Sequence, residues 1–150
     1  MNVLIATDGS EAAVEAAHKA VELLRPGARV ALAMVVPSKQ DPMLDAGGFE
    51  GPVMTDEEAE QEWQENKGGA EAELDKEAAL ADQPVETKVV ADDGGPGPGI
   101  VRVAKELPAD VIVIGSSGKG ALRRFFTGSV SDHVVHHAPC PVLVIRHDDD

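Results

Sequence analysis

The stretch Gly115 to Ser131, GSSGKGALRRFFTGSVS, carries four glycines and four serines, with Lys119, Arg123 and Arg124 set among them. Residues of these types suit the holding of an anion. Glycine permits φ > 0 conformations that turn successive backbone N–H groups inward, and phosphate oxygens approach it without meeting a Cβ. Gly115 follows an apolar run, and Gly128-Ser129 stands where a helix is predicted to begin. A helix N-terminus leaves backbone N–H groups unpaired and adds partial positive charge. Ser129 and Ser131 supply hydroxyl donors and a helix cap. The three cations would offset the repulsion a phosphate chain meets in a protein with 13 Lys and Arg against 27 Asp and Glu; Arg123 and Arg124 equally suit a solvated basic loop. Two familiar phosphate motifs are excluded. The chain has no GxxxxGK[ST], and its first apolar run is followed by TDGS rather than GxGxxG.

The elements that must position this loop alternate along the chain. Asn2–Ala6 (NVLIA) is a short apolar run of strand length, ending at Thr7-Asp8-Gly9-Ser10. Ser10 opens an alanine-rich helix to Leu24, with Ala13, Ala16, Ala17, Ala20, Val21 and Leu24 at helical spacing, and Pro26-Gly27 stops it. Arg29–Val36 predicts a second strand, and a strand, helix and strand in this order make a parallel right-handed unit. Pro37–Thr55, rich in Pro, Gly, Met and Asp, predicts a long mobile loop. Thr55–Asp82 is acidic and helix-prone; Thr55 and Glu58 resemble a capping box, and Gly68-Gly69 predicts a break or kink. Val85–Ala91 is a third strand, Asp92–Gly99 reads as turn, and Ile100–Leu107 as a short helix. Asp110–Ile114 is a fourth strand, Gly128–His137 a last helix, and Val142–Ile145 a fifth strand. The pattern is one α/β domain, doubly wound about a mostly parallel sheet and ending in an acidic tail over 147–150. Ligands of such sheets bind beyond the strand C-termini where strand order reverses, so the loops after strands one, two and four matter most.

Bulk properties remove several classes of function. At 150 residues the chain is long enough to bury a core. A formal charge of −14 argues against nucleic acid or an anionic membrane as partner. It predicts a solvated acidic surface, and a sharper version of that expectation is adaptation to a high-salt cytoplasm. Cys140 is the only cysteine, so no intramolecular disulfide forms, and its place between Pro139 and Pro141 suits a small packed side chain. The start MNVLIATDGS lacks the pattern of a signal peptide, and no segment reaches the roughly 18 consecutive apolar residues of a membrane span. The expectation is a cytoplasmic protein.

The spacing of the glycine loop is G-x2-G-x9-G-[ST], through Gly115, Gly118 and Gly128-Ser129. It resembles the ATP-binding signature of the universal stress protein family. LIATDGSEAA, ADVIVIGSSGKG and GSVSDHVVHHAPCPVLVIR are also similar to that family's segments, in the same order. The resemblance covers nearly the whole chain apart from the Pro37–Thr55 loop. It implies a five-stranded parallel sheet of order 3-2-1-4-5 with helices on both faces, and ATP at the switch point between strands one and four. It further implies that Ala6, Thr7 and Asp8 line the adenosine side and that the Val35 backbone meets the adenine edge. Ile114, Gly115, Gly118 and Lys119 would lie along ribose and phosphates. Gly128, Ser129, Val130 and Ser131 would cradle the phosphate chain, with Mg²⁺ or Mn²⁺ held mainly by the phosphates. A homodimer through the last strand, Val142–Ile145, is implied as well; its apolar edge needs covering.

Other residues invite chemistry that the pattern does not complete. Asp8 also suits a cap on the following helix together with Ser10. His133 and His137 share a helix face at metal-ligand spacing, yet no Cys or carboxylate completes a defined site, and no metal site is assigned. Asp92 and Asp93 read as turn formers, Phe125 and Phe126 as packing residues, and the Glu57–Glu65 run as a solvated face. No nucleophile, base and orienting group are brought together by sequence, so catalysis is expected to reach at most slow ATP hydrolysis or autophosphorylation. The expected role is an ATP-binding, nucleotide-responsive stress or signalling module. The alternatives are that slow enzyme, or a dimeric scaffold for AMP or cyclic AMP.

Overall fold

The structure, a computed structural model, describes residues 1–24, 26–37, 55–92, 94–116 and 129–146. Among the described residues nine elements alternate: β1 Asn2–Ala6, α1 Glu11–Leu23, β2 Arg29–Pro37, α2 Asp56–Ala78, β3 Val85–Asp92, α3 Pro96–Glu106, β4 Val111–Gly115, α4 Ser129–His137 and β5 Val142–Ile145. The five strands form one all-parallel sheet in the order β3-β2-β1-β4-β5. The chain works outward from β1 to β3, then returns to the other side of β1 with β4. The switch point is therefore the seam where Val3–Ala6 pairs with Val111–Ile114.

Strand sequences are apolar on both faces because both faces are covered. Val3, Ile5, Leu32, Met34 and Val113 join Ala16, Ala17 and Ala20 of α1 and Ala70 and Leu74 of α2 in one core layer. Leu4, Ala33, Ile112 and Ile114 point the other way, into a layer with Ile100, Val101, Val103 and Ala104 of α3 and Val134 of α4. The alternation follows from the two-residue period of a strand. Ser10 caps α1, its Oγ accepting from the Ala13 N–H at 3.2 Å. Pro26-Gly27 ends the helix as expected, with Gly27 at φ 81°.

Three details differ from the sequence expectation. The acidic helix α2 runs unbroken through Gly68-Gly69 and stops at Ala78, short of Asp82. A complete capping box at Thr55 and Glu58 starts it, and buried Ala70 and Leu74 pin it to the sheet, which outweighs the propensity cost of two glycines, about 1 kcal/mol each. Helix α3 begins at Pro96, four residues before the expected Ile100. Gly95, at φ 109°, is its N-cap, and proline at the first helical position fits the fixed φ of the ring. Asp92 closes the preceding turn by accepting from the Gly95 N–H, as its reading as a turn former requires. Strand β4 is shifted one residue, to Val111–Gly115, because Asp110 is used outside the strand: its Oδ2 accepts from the Asn2 backbone N–H at 2.7 Å. Most of the expected Pro37–Thr55 loop lies outside the described residues, although Pro37 itself closes β2 opposite Asp92. The acidic tail and Asp93 also lie outside them. No helix among the described residues is long and apolar enough to cross a membrane.

Candidate functional site

Strand β1 ends at Ala6, directly beside Ile114 of β4, and the chain then turns through Thr7-Asp8-Gly9-Ser10 into α1. Four hydrogen bonds hold this turn. The Thr7 N–H donates to Ala33 O of β2 at 2.9 Å, extending the sheet by one residue. The Gly9 N–H donates to Thr7 Oγ1 at 3.1 Å, and the Thr7 hydroxyl donates in turn to Glu77 Oε2 of α2 at 2.9 Å. The Ser10 N–H donates to Asp8 Oδ1 at 3.0 Å, so Asp8 braces the turn while Ser10 is the cap. Gly9 sits at φ 71°, in the left-handed region, and a Cβ there would lie 2.9 Å from Glu73 Cγ. A bulkier residue would strain the turn and push the Glu73 side chain aside.

The other side of the seam is equally close-packed. Ile114 is buried, and Gly115 extends β4 opposite Ile145 of β5. The Ser116 N–H donates to Ile145 O at 2.8 Å. Helix α4 starts at Ser129, which is exposed; Ser131 is buried, and Val130 packs on the layer that holds Ile112 and Ile114. The first turn of α4 therefore joins the core layer to which the β4 residues Ile112 and Ile114 belong. Val35 of β2 is half-buried and lies on the same face, against Gly99 of α3. Ala6, Thr7, Asp8, Val35, Ile114, Gly115, Ser129, Val130 and Ser131 thus all lie at strand ends or at the α4 N-terminus. Gly118, Lys119 and Gly128 lie outside the described residues, as do Arg123, Arg124, Phe125 and Phe126.

One residue of this neighbourhood escapes the sequence reading. Glu77 is 8% exposed, on an otherwise acidic, solvated helix. Burial pushes its carboxyl above the usual carboxylate value, and Glu73 and Asp8 add to that by repulsion. The Thr7 hydroxyl and His18 pull the other way. Its signal was available in the spacing: Ala70, Leu74 and Glu77 fall at i, i+4 and i+7, one face of a helix. On the α2 side of the turn an open hollow of about 350 Å³ lies among Asp8, Met34, Val36, Asn66 and Glu73.

The histidines of α4 engage each other rather than a common centre. The His133 and His137 rings stack at 4.1 Å, and Nδ1 of His137 lies 2.9 Å from His133 O. Among the described residues no three His, Cys, Asp or Glu side chains are grouped to hold a metal ion.

Comparison with known proteins agrees with this architecture. A universal stress protein from Lactobacillus plantarum superimposes with a TM-score of 0.75 at 28% identity, covering 97% of each chain. A universal stress protein of Archaeoglobus fulgidus, solved in complex with dAMP, gives a TM-score of 0.58 at 26% identity over 97% of each chain. In sequence, a Mycobacterium bovis universal stress protein is 42% identical over 91 residues, which span 58% of this chain but only 30% of that longer protein. A Staphylococcus haemolyticus relative bearing the same family name is 35% identical over 153 aligned positions, 99% of this chain and 86% of that one. The model of the universal stress protein family itself matches residues 1–146. By both whole-chain measures, this chain belongs to the universal stress protein family.

Proposed function

We propose that the chain binds an adenine nucleotide, ATP in the first instance, at the β1–β4 seam, and that it acts as a nucleotide-responsive stress or signalling module of the cytoplasm. The observation that carries this reading is the seam itself. The end of β1 pairs with the end of β4 at the reversal of strand order, Val130 of α4 packs on the same core layer, and the segment joining β4 to α4 has the spacing G-x2-G-x9-G-S. The adenosine end lies along Ala6, Thr7, Asp8 and the Val35 backbone. The phosphates run past Ile114, Gly115, Gly118 and Lys119 to Gly128, Ser129, Val130 and Ser131, where the positive end of the helix dipole favours negative charge. Mg²⁺ or Mn²⁺ is held mainly by the phosphates rather than by a dedicated protein cage. The dAMP complex of the Archaeoglobus relative supports the choice of base. Because that ligand is a monophosphate, AMP is the competing ligand.

The same reading gives β5 an assembly role. It is one of the two edges of the sheet, and Val142, Leu143 and Val144 remain only half-buried. Pairing β5 with a second copy would cover them in a homodimer. The bound nucleotide, not turnover, is taken as the signal; hydrolysis or autophosphorylation would be slow. Heating the purified protein and identifying released small molecules by chromatography tests the reading, followed by calorimetry with ATP and AMP in Mg²⁺. Release of adenine nucleotide, or micromolar binding, is expected. Neither released nucleotide nor binding of either compound would refute it.

A further inference from the structure

Glu77 is a buried acid whose side chain is hydrogen-bonded to the β1–α1 turn: among the described residues, its Oε2 accepts from Thr7 Oγ1, while Oε1 is buried with no partner. Gly9 N–H can only donate, so Thr7 Oγ1 accepts from it with one lone pair; the ionised Glu77 carboxylate can only accept, so the Thr7 hydroxyl sends its hydrogen to Oε2. Thr7 also extends the β1–β2 pairing by one bond, from its N–H to Ala33 O. One carboxyl on α2 therefore holds the residue from which the β1–α1 turn departs.

We propose that Glu77 couples a proton to the β1–α1 turn, so that adenine-nucleotide affinity follows the protonation state of this one carboxyl. The inference rests on the nucleotide reading of the seam. The proton goes to Oε1, the oxygen without a partner, so the Gly9–Thr7–Glu77 chain keeps its direction and only the charge changes. The groups facing Glu77 are Glu73 from its own helix, Asp8 from the turn and His18 from α1. Two acids against one exposed histidine leave the ionised form poorly compensated, in keeping with the upward displacement of its titration by burial. A nucleotide adds further negative charge at the same end of the sheet. Binding then favours the protonated carboxyl, and by linkage protonation favours binding. Glu77 is a positioning residue: it acts through Thr7.

The test is Mg-ATP affinity by calorimetry from about pH 5 to about pH 8, for the wild type and for Glu77→Gln. Titration of the nucleotide's own phosphates and base cancels in the ratio of the two affinities. Wild-type affinity relative to the variant is expected to fall about fivefold or more as pH rises across that range; a constant ratio would overturn the proposal. Should Glu77→Gln fail to fold, the wild type alone decides. Its Glu77 carboxyl carbon, followed by NMR, must titrate at a higher pH with saturating Mg-ATP than without, and an unchanged midpoint refutes the coupling. If the folded protein binds neither ATP nor AMP, the nucleotide reading fails and the affinity linkage with it. In that case the Gly9 amide of the free protein settles the remaining half: titration in step with Glu77 supports coupling of proton to turn, and indifference overturns it.

Discussion

Gly97 of α3 faces His133 of α4 so closely that a Cβ built at Gly97 would lie 2.9 Å from His133 Cβ. Two helices interlock at this point, and one of them carries Ser129–Ser131 on its first turn. Because the opposing atom belongs to the root of the histidine side chain, rotation of the ring does not relieve the clash.

Gly97→Ala should therefore lower stability by about 1–2 kcal/mol, overpacking outweighing the helical gain of alanine over glycine. Since the relief available is a displacement of α4, nucleotide affinity should fall with it. Thermal unfolding and calorimetry check the two effects. A variant as stable as the wild type would show that α3 and α4 are not locked at this contact.

Gly68→Ala, in the middle of α2, should do the opposite. Gly68 is exposed, and an added Cβ meets nothing within 4 Å. Its conformation is helical, so alanine relieves only the propensity penalty, and a gain of about 0.5–1 kcal/mol is expected by denaturant unfolding. A loss would indicate that the glycine pair serves flexibility in this helix.

These two glycines also mark what the sequence carries and what it does not. The strands are legible because a parallel strand covered on both faces is a short unbroken apolar run, and NVLIA and VLVI coincide with β1 and β5 residue for residue. Gly68-Gly69 and Gly97 look alike in one dimension, yet one pair is tolerated inside a long capped helix and the other glycine is required by a neighbour more than thirty positions away. The α3 start is hidden for a related reason: Pro96 reads as a breaker unless the preceding Gly95 is known to act as N-cap. At the seam, the turn TDGS is legible as the end of β1, and its partner Glu77 is not, because seventy residues separate the two in sequence. A helical wheel would have placed Glu77 under Leu74, but only the tertiary fold reveals that Thr7 receives it.

Stability should depend on pH through Glu77. A carboxyl titrating above its ordinary value of 4.5 in the folded state favours the fold most when protonated. That contribution is present below the ordinary value and is lost as pH rises through the elevated folded-state value. Glu77→Gln removes the titration. The wild type should lose stability relative to the variant on going from about pH 4.5 to pH 8, on the order of 1 kcal/mol, the scale of a buried polar oxygen left unpaired. Urea unfolding at several pH values reads the difference, and parallel curves would show that Glu77 titrates normally.

Salt should stabilise the chain. A formal charge of −14 over 150 residues is self-repelling at low ionic strength, and the Debye length shrinks to about 3 Å at 1 M salt. The melting temperature is expected to rise markedly between dilute and molar KCl. A flat response would mean that acidic groups are already compensated locally, as Glu15 is by Lys19 at 2.8 Å on α1, and would remove the case for salt adaptation.

Ser129→Asp separates the folding role of the α4 N-terminus from its binding role. Ser129 is the first residue of α4 and is exposed, so a carboxylate there meets the positive end of the helix dipole. Stability should hold or rise, by about 0.3–1 kcal/mol. The same charge occupies the ground on which the phosphates are proposed to sit, and even at solvent-like screening one unit charge a few ångströms from another costs about 1 kcal/mol or more. Nucleotide affinity should therefore fall about tenfold while the melting temperature does not. The loss should grow from AMP to ATP, because the longer phosphate chain brings more charge to the helix end. Equal affinity for ATP in the variant and the wild type would move the phosphates away from α4, and with them the proposed course of the nucleotide along the seam.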